Sequence, residues 1–592
     1  MCVTQRLKQL RELMKKKSID AYIIPSLDPH QSESVADRWK SRVWISGFTG
    51  SAGTVVVTAD KAGLWTDGRY FLQAEEQLKG STIELFKMGL PETVDYRTWI
   101  NSELDKEQVV SFDPEVLSIA QVDELKSIFK KKKIKTLSLD LINEIWSDRP
   151  ALPKGKLVLQ STEYSGMGRK EKFSMLREKM TEEGVTHHLF ASLDDIAWIF
   201  NIRGTDILHN PLIMSYAVIG MHEVIIFVNR DKLGTVERKA LEGDGVTVRD
   251  YSEVTAYLAD LPENTTLFID ISRCAQNLLD AVKQDKVKIV RGTNMSQIMK
   301  AVKNNVEISG MKKAHIVDGV AMVQFLHWLD NTVGKEKITE ISAADKLESF
   351  RKQGENFKGL SFDTIAGYNE HGAIIHYSAT KETSSELKPE GLFLVDSGGQ
   401  YFEGTTDITR TVVLGKISDR MKRDFTLVLK GHIRVAITKF PQGTTGTHID
   451  AFAREALWQH GLNYNHGTGH GVGAYLCVHE GPMGISQRWN DTKLLPGMIL
   501  SNEPGCYQSN EYGIRIENLI LIAPVEETEW GQFLGFQNLT MCPIDTRAVD
   551  VSLLTENEKS WLNSYHREVY TKLSPMLDDH VRAWLKKATE KI

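Results

Sequence analysis

The amino-terminal half of the chain carries one hydrophobic pattern twice. A helix-like block at residues 10–14 leads into an apolar, strand-like block at 21–24, and residues 176–180 lead into 188–190 in the same way. Ser-Leu-Asp follows both strand-like blocks, and each copy then reaches a Trp-Ile pair and a Gly followed by Ser or Thr. A helix that feeds a strand and further apolar runs is typical of an α/β unit. The ordered set of matches therefore predicts two similar α/β modules.

A different helical pattern opens the rest of the chain. Apolar residues recur at helical spacing from Ile308 to Phe325, and Ser296 is placed to cap this helix. Near the carboxyl end, Thr555 and Glu558 fit a capping box in front of apolar residues repeated every four positions. That apolar face suits packing on the same chain and pairing with a second subunit equally. We expect three domains: an N-terminal α/β module at 1–158, a second, similar module at 159–296, and a third domain at 297–592 that ends in a helical tail.

The composition is that of a multidomain globular protein. The chain has 592 residues, 41% of them apolar, and a formal net charge of −6, which gives no reason to expect a nucleic acid or a membrane as partner. The amino terminus lacks an apolar core of signal-peptide length, and no later apolar run reaches the roughly 18 residues that span a bilayer. The five cysteines are scattered and lack CxxC spacing, which argues against disulfides and a thiolate zinc cluster. We expect a soluble, reduced, cytoplasmic protein.

Residues 465–473 form the most unusual stretch, in which glycines separate two histidines. The stretch contains His466, His470 and four glycines, and His479 follows soon after. Glycine suits the interior of a helix or strand poorly, because it loses the most backbone entropy on ordering. Such a stretch is expected where the backbone must come close to another group, or where side chains must be aimed without bulky neighbours.

Four acids flank this stretch, and each one edges an apolar, strand-like segment: Asp396, Asp407, Glu503 and Glu517. Any one of them alone would be interpreted as a cap or a surface group, but the joint pattern indicates a shared site. A turn at residues 398–404 would join the strands of Asp396 and Asp407 into a hairpin and set these two acids side by side. Carboxylates held together raise each other's pKa, and a bound divalent ion removes that repulsion.

Together with the imidazole of His470, the four acids form a donor set for hard to borderline divalent ions such as Mn²⁺, Co²⁺ or Zn²⁺. Four carboxylates can bridge two ions, and a dinuclear site can hold a hydroxide as nucleophile while it polarises a carbonyl. We therefore hypothesise a metal site with hydrolytic chemistry. Cys477 and Cys506 lie close in sequence, but a thiolate suits this donor set poorly, so we interpret both as bystanders.

The five proposed ligands occur in the order and approximate spacing of those of the pita-bread metallopeptidases, which include methionine aminopeptidase, prolidase and aminopeptidase P. Over nearly the whole chain, the wider motifs resemble the long, three-domain form of aminopeptidase P, the Xaa-Pro aminopeptidases. The resemblance implies an α/β (α+β) fold class, with two similar creatinase-N-like modules followed by a pita-bread catalytic domain. The motifs that carry it lie at residues 65–71, 193–198, 364–367, 374–377, 403–411, 466–471, 478–482 and 501–505.

The resemblance also implies a role for each ligand. Asp396 would chelate one ion, and Asp407 and Glu517 would bridge both. His470 and Glu503 would complete the shell of the second ion, with His470 also facing the substrate. Glu503 would in addition act as general base towards the bridging water.

Other residues would act on the substrate side of the implied site. His376, His466 and His479 would stabilise the tetrahedral intermediate or shuttle protons. Arg515, on the strand that leads to a bridging acid, would orient ligands or relay a proton. Arg69 has two interpretations: a hydrogen bonder within its own module, or a substrate-binding residue that reaches over the cleft to the peptide.

The expected function is that of a metallo-aminopeptidase that hydrolyses the N-terminal Xaa-Pro bond of peptides with a hydroxide bridging two divalent metal ions, Mn²⁺ in the first place. The expected partner is a peptide with proline at the second position, and the expected assembly is a homodimer. A prolidase that acts on Xaa-Pro dipeptides is the alternative within the same chemistry, although prolidases resemble one amino-terminal module plus the catalytic domain. An inactive pita-bread module that binds peptides or proteins is the alternative from another class, although such relatives have lost the ligands that are all present here.

Overall fold

The computed structural model describes residues 2–592 and divides into two compact units. One unit comprises the chain up to Gln160 together with Met167–Ser296. The second comprises Ser161–Gly166 together with Gln297–Ile592. The domain boundaries expected after residues 158 and 296 stay predictions.

The first module is built around a six-stranded sheet. Its order is β4-β3-β2-β1-β5-β6, in which β1 pairs antiparallel with β2 and parallel with β5. On α1, Leu7, Leu10 and Met14 are buried at the three- and four-residue spacing of one helix face. The elements are β1 (Ala21–Pro25), β2 (Thr54–Thr58), β3 (Ala62–Thr66), β4 (Glu84–Lys87), β5 (Val109–Phe112), β6 (Lys135–Ser138), α1 (Val3–Lys16), α2 (Ser41–Ser46), α3 (Phe71–Gln77), α4 (Tyr96–Glu103), α5 (Ile119–Phe129) and α6 (Leu141–Ile145).

The second module repeats this arrangement. Its elements are β7 (Val158–Leu159), β8 (His187–Phe190), β9 (Ile202–Arg203), β10 (Ser215–Gly220), β11 (Val224–Val228), β12 (Val246–Arg249), β13 (Thr266–Ile269), β14 (Lys288–Arg291), α7 (Thr162–Ser165, in the second unit), α8 (Arg169–Glu182), α9 (Leu193–Ile199), α10 (Thr235–Gly243), α11 (Val254–Ala259) and α12 (Gln276–Ala281). The sheet order is β12-β11-β10-β8-β13-β14, and β8 pairs antiparallel with β10 and parallel with β13. In both sheets the central strand, β1 or β8, therefore has one antiparallel and one parallel neighbour. This shared arrangement confirms the prediction of two similar modules.

The carboxyl-terminal part of the chain forms a larger mixed domain. Its strands are β15 (Phe357–Leu360), β16 (Ile365–Tyr368), β17 (Leu392–Ser397), β18 (Gly399–Tyr401), β19 (Gly404–Thr405), β20 (Ile408–Val413), β21 (Phe440–Pro441), β22 (Gly469–Gly471), β23 (Glu480–Ile485), β24 (Ile499–Asn502), β25 (Gly505–Gln508), β26 (Tyr512–Arg515), β27 (Asn518–Thr528) and β28 (Gly531–Asn538). Its helices are α13 (Ser296–Ala301), α14 (Asn305–Thr332), α15 (Glu340–Arg351), α16 (Asp419–Ile437), α17 (Gly446–Trp458), α18 (Glu556–Leu573) and α19 (Asp579–Ala588). A three-stranded sheet, β16-β17-β20, and a six-stranded sheet, β21-β28-β27-β24-β22-β23, supply the strands of the candidate site.

The helical pattern at the start of this domain is interrupted, which differs from the prediction. Ser296 is the first residue of α13 and does not cap the long helix. Asn304 caps α14 instead, because its side chain accepts hydrogen bonds from the amides of Val306 and Glu307, and Glu307 bonds back to the Asn304 amide.

The helical tail packs on its own chain. The capping box of Thr555 and Glu558 is present at the start of α18, as predicted. Apolar residues of α18 and α19, such as Leu562, Val569 and Leu585, are buried in one core cluster with α16 and β26. Between the two interpretations of this apolar face, the structure supports packing within the chain. Within residues 2–592, every helix is too short or too polar to span a membrane.

Candidate metal centre

Asp396 and Asp407 lie on two paired strands, as the sequence predicts. β17 and β20 are antiparallel, with Asp396 opposite Thr409, and Asp407 immediately precedes β20. The connection between the strands is more than the predicted turn, since it contains the small hairpin β18-β19. The chain crosses itself closely there: a Cβ at Gly398 would lie 2.0 Å from the Thr406 carbonyl oxygen. Glycine permits this crossing, and the two acids come together at one end of the strand pair.

Glu503 and Glu517 are placed in an equivalent way. β24 and β27 are antiparallel, with Asn502 opposite Asn518. Glu503 follows β24 and Glu517 precedes β27, so the two acids extend the pair at the same end. The small hairpin β25-β26 again fills the connection. Two strand pairs therefore each contribute two acids to the centre.

The glycine-rich stretch brings His470 to these acids. His470 is the middle residue of β22, which pairs with β23 and β24. A Cβ at Gly469 would lie 1.9 Å from the Ser501 carbonyl oxygen, and a Cβ at Gly471 would lie 2.1 Å from the Glu480 carbonyl oxygen. No side chain fits at either position. The close backbone approach expected from the glycine spacing is confirmed.

The atoms that could bind a cation converge on His470. One ligand atom from each of Asp407, His470 and Glu517 lies within 4.8 Å of the others. The His470 Nε2 atom is 3.4 Å from Asp407 Oδ2 and 3.6 Å from Glu503 Oε1. The His470 Nδ1–H donates to the Gly471 carbonyl at 2.9 Å, which leaves Nε2 facing the acids. This orientation suits a ligand, because a hydrogen bond at one ring nitrogen fixes which nitrogen is offered to a metal.

Asp396 is connected to the same cluster through Arg515 and Thr409. Arg515 Nη2 donates to Asp396 Oδ2 at 2.7 Å. Arg515 Nε also donates to the Thr409 hydroxyl at 3.2 Å, and that hydroxyl donates to Glu517 Oε2 at 2.8 Å. Thr409, which the sequence analysis did not single out, therefore links the two strand pairs.

The buried acids have fewer donors than oxygens. Asp396 Oδ1 and Glu517 Oε1 are buried without a hydrogen-bond partner in the described part of the chain. Burial raises the pKa of Glu517 well above its ordinary value, and the charges of Asp407 and Glu503 raise it further. Burial also raises the pKa of Glu503 and of Asp396, although His470 and Arg515, respectively, oppose these shifts. The protein itself therefore supplies too little positive charge for this set of carboxylates.

The residues present fit divalent cations. Burial alone would lower the pKa of His470, but the neighbouring carboxylates Asp407 and Glu503 outweigh it and raise the pKa to about 9. When no metal is bound, the acids therefore favour a proton on His470 Nε2. Carboxylate oxygens around a single imidazole are the ligands that hard to borderline divalent ions prefer.

A chain of donors connects Arg515 to His466. Arg515 Nη1 donates to the Tyr507 hydroxyl at 2.8 Å, and this hydroxyl shares a 2.8 Å hydrogen bond with His466 Nε2. The His466 Nδ1–H donates to the Gly467 carbonyl at 2.8 Å. Burial, and then the charge of Arg515, lowers the pKa of His466 to about 3. His466 is therefore a neutral imidazole whose Nε2 accepts from Tyr507.

The other two predicted substrate-side histidines lie in the same domain. The ring of His479 stands nearly perpendicular to that of His470, with centroids 4.2 Å apart. His376 is half-buried and contributes to the lowered pKa of His466. Arg515 Nη2 donates at 3.4 Å to the carbonyl of Ile375, next to His376. The fold thus brings the three histidines to the metal centre's surroundings, while their catalytic roles stay predictions.

Comparisons with known proteins agree with this geometry. Residues 309–524 match metallopeptidase family M24, and residues 532–592 match the C-terminal region of peptidase M24. Residues 6–145 and 148–307 each match a creatinase/prolidase N-terminal domain. A probable Xaa-Pro aminopeptidase P of Laccaria bicolor is 43% identical, over 99% of this chain and 93% of the relative. The chain belongs to the aminopeptidase P group of metallopeptidase family M24.

Two further relatives extend this group. Aminopeptidase P2 of Arabidopsis thaliana is 41% identical, over 98% of this chain and 88% of the relative. The crystal structure of X-prolyl aminopeptidase from Caenorhabditis elegans, described as a cytosolic enzyme with a di-nuclear active site, matches with a TM-score of 0.95. It is 36% identical, and the match covers 100% of both chains. The pita-bread catalytic domain and the two creatinase-N-like modules expected from the resemblance are therefore present in this M24 chain.

Arg69 of the first module is held by a neighbour. Its Nε and Nη2 atoms each donate at 2.8 Å to one oxygen of Asp67, which forms a bidentate pair. The hydrogen bonds to Asp67 raise the pKa of Arg69 above its ordinary value. The contacts agree with the interpretation of Arg69 as a hydrogen bonder within its module. Its role towards a peptide stays a prediction.

Sequence reasoning missed Tyr507, the link between Arg515 and His466. Tyr507 lies in β25, between Glu503 and Arg515 in sequence, and a tyrosine in a strand gives no chemical signal by itself. Its position inside the hairpin that joins two predicted ligands is the one signal that could have marked it.

Proposed function

We propose that this chain is a metallo-aminopeptidase that releases the first residue from peptides with proline at the second position. The proposal rests chiefly on one observation: Asp407, Glu503 and Glu517 lie around His470, Asp396 joins them through Arg515, and two of these carboxylates each have a buried oxygen without a donor in the described residues. A donor set of this kind is stable at neutral pH when cations complete it. The names of the full-length relatives, Xaa-Pro aminopeptidase P among them, support the substrate class.

The five ligand assignments belong to this proposal. Asp396, Asp407, His470, Glu503 and Glu517 would hold two divalent cations, which supply a hydroxide nucleophile and polarise the scissile carbonyl when bound. Glu503 Oε1 lies 3.6 Å from His470 Nε2, beside the proposed ions, where its carboxylate could accept a proton from the attacking water. Arg515 opposes the rise in the pKa of Asp396 and orients this carboxylate through their 2.7 Å contact.

The histidines would handle the peptide and its protons. The nitrogen of a peptide bond to proline belongs to a tertiary amide. It needs a proton before it can leave as the amine of the released product. His376 and His479 are partly exposed and could donate this proton or stabilise the tetrahedral intermediate. His466, neutral and fixed by Tyr507, would orient the substrate more than it would transfer a proton.

Finer properties are part of the same proposal. Mn²⁺ is proposed as the bound ion because carboxylate oxygens dominate the site, with Co²⁺ or Zn²⁺ as substitutes. A cytoplasmic location is supported by the Caenorhabditis elegans relative, which is described as a cytosolic enzyme. The homodimer and the domain boundaries after residues 158 and 296 rest on the family resemblance and on the repeat. Light scattering tests the homodimer, and limited proteolysis tests the domain boundaries.

Peptide cleavage tests the proposal directly. The purified, Mn²⁺-loaded protein is incubated with Arg-Pro-Pro, Ala-Pro and Ala-Ala-Ala, and the products are separated by chromatography. Cleavage of the first bond of Arg-Pro-Pro alone is the expected result. Preference for Ala-Pro would make the chain a prolidase, and no turnover with Mn²⁺, Co²⁺ or Zn²⁺ would favour an inactive peptide-binding module.

A further inference from the structure

Glu340, the first residue of α15, is a fully buried carboxylate that is not among the predicted ligands. It accepts hydrogen bonds from the amides of Tyr368 and Ser385, both at 2.8 Å. The Tyr377 hydroxyl donates to it at 3.0 Å, and the His371 Nδ1–H donates at 2.8 Å. Four donors, from positions 28 to 45 residues further along the chain, therefore converge on one side chain.

These donors flank His376, the histidine proposed to face the substrate. Tyr377 is its direct neighbour, and His371 lies in the short 3₁₀ turn that leads to it. On the preceding side, Arg515 Nη2 donates to the Ile375 carbonyl at 3.4 Å. The backbone of His376 is therefore held before and after the residue.

Close backbone packing fixes where the turn lies. A Cβ at Gly513, on the strand of Arg515, would lie 1.7 Å from the Gly372 carbonyl oxygen. A Cβ at Gly367 would lie 2.7 Å from the Gly372 amide nitrogen. The packing sets the position of the turn, while the Glu340 carboxylate orients its amide and side-chain donors.

Charge and ring stacking add to the hydrogen bonds. The hydrogen bond to Glu340 is the main cause of the raised pKa of His371, so the pair carries opposite charges over a wider pH range than an isolated histidine would allow. The ring of His371 stacks on that of Tyr377, with centroids 4.4 Å apart. Rotation of the Tyr377 side chain would break both the stack and its bond to Glu340.

We propose that Glu340 is a positioning residue for peptide hydrolysis, which with His371 and Tyr377 fixes the backbone of His376 and so the direction of its imidazole. This inference rests on the proposed function. Glu340 then acts through His376 and leaves the binding of metal unchanged.

Glu340→Gln is the first test, because glutamine keeps the volume but turns an NH₂ group towards two of the four donors. A displacement of about 1 Å at a reacting group lowers rates roughly 10²-fold, so kcat for Arg-Pro-Pro should fall roughly 10- to 100-fold, with KM within about 3-fold. The Mn²⁺ content of the variant should equal that of the wild type.

The matched control is Glu558→Gln. Glu558 is a buried carboxylate of the same domain that caps α18 and pairs with Lys430. Its substitution should lower stability and leave kcat and KM at their wild-type values. A second variant, Tyr377→Phe, keeps the Glu340 carboxylate and should give a smaller loss of kcat. This variant still tests the proposal if Glu340→Gln does not fold.

Two measurements separate positioning from a general loss of stability. In a His376→Ala background, Glu340→Gln should change kcat by less than about 2-fold, because both substitutions act on the same group. Hydrogen exchange in the peptide that covers residues 369–378 should be faster in Glu340→Gln and Tyr377→Phe than in the wild type and in Glu558→Gln.

Equal losses of kcat with and without His376, or unchanged exchange at residues 369–378, would overturn the proposal. Wild-type protein that cleaves none of the peptides would instead refute the proposed function. The exchange measurement would still decide whether Glu340 holds the segment around His376, because it needs neither substrate nor metal.

Discussion

Buried carboxylates of the catalytic domain occur in two different settings. Asp318 faces Arg351, whose Nε and Nη2 atoms donate at 2.8 and 3.1 Å, and it also accepts from the Tyr401 hydroxyl at 2.8 Å. In the metal centre, Asp396 Oδ1 and Glu517 Oε1 have no such donor in residues 2–592. In the first setting both carboxylate oxygens have donors without any bound ion, and in the second setting some oxygens have none.

The pKa shifts follow the same division. Burial works against the charge of Asp318, but Arg351 outweighs it and lowers the pKa of this carboxyl. At Glu517, burial and the neighbouring acids both raise the pKa. A buried acid with its own arginine has its charge compensated within the fold, whereas a cluster of buried acids short of cations is prepared for a bound metal.

The largest expected effect comes from the metal centre. Glu503→Ala removes a proposed ligand and the proposed base together, so turnover of Arg-Pro-Pro should fall by at least roughly 10³-fold. Glu526→Ala, an exposed acid paired with Lys439, is the control and should keep wild-type activity. Steady-state kinetics with Mn²⁺ in excess measures both, and activity of Glu503→Ala near the wild type would refute its assignment.

An acid of the first setting should affect stability and leave metal binding intact. Asp318→Ala leaves the fully buried Arg351 without its counter-charge, which should lower the free energy of unfolding by about 3–5 kcal/mol. Glu568→Ala removes an exposed pair with Lys572 and should change it by less than about 1 kcal/mol. Denaturant unfolding and metal analysis of the same samples check this. Loss of Mn²⁺ from Asp318→Ala would erase the distinction between the two settings.

The pH dependence of stability should differ between metal-free and metal-loaded protein. The folded-state pKa values of Asp396, Glu503 and Glu517 are raised, so the metal-free folded state holds more protons than the unfolded state. The contribution of these three acids to its free energy of unfolding should therefore fall as the pH rises above about 4.5, by up to about 1.4 kcal/mol per pH unit for each proton. Stabilisation by Mn²⁺ should grow over the same range, since its ligands must be deprotonated.

Thermal melts with EDTA and with Mn²⁺, from pH 5 to pH 8, measure this difference. Parallel pH profiles for the two forms would mean that these three acids are neutralised by the protein alone.

The smallest effect should follow substitution of Cys477. This residue lies between His470 and His479 in sequence but belongs to neither the acid set nor the histidine set. Cys477→Ala should keep kcat/KM within about 2-fold of the wild type, because an oxygen-based donor set has no use for a thiolate. If Cys477→Ala were as inactive as Glu503→Ala, the donor set would be wrong.

The positions of the proposed ligands could be predicted because each has a local signature. An apolar run that ends in an acid marks Asp396 and Glu503, and glycines around a histidine mark His470. These signatures reflect backbone burial and close approach, which a short stretch of sequence encodes. The duplicated modules were predictable for the same reason.

Contacts made across the chain could not be predicted in this way. Glu340 lies in an ordinary helical segment, and its donors are 28 to 45 residues away. Thr409 acquires its role only when β20 meets Glu517 of the other strand pair, and Tyr507 only when the β25-β26 hairpin meets His466 of the glycine-rich stretch. The break before α14 was readable from Asn304 and Glu307, which form a capping box, but the continuous apolar pattern favoured a single helix.

Anomalous diffraction from a crystal of the Mn²⁺-loaded protein tests the central claim most directly. Two manganese peaks bounded by Asp396, Asp407, His470, Glu503 and Glu517, with none at the buried Asp318–Arg351 pair, are the predicted result. No peak among these five residues, or manganese bound elsewhere in the chain, would contradict the assignment of this cluster as the metal centre.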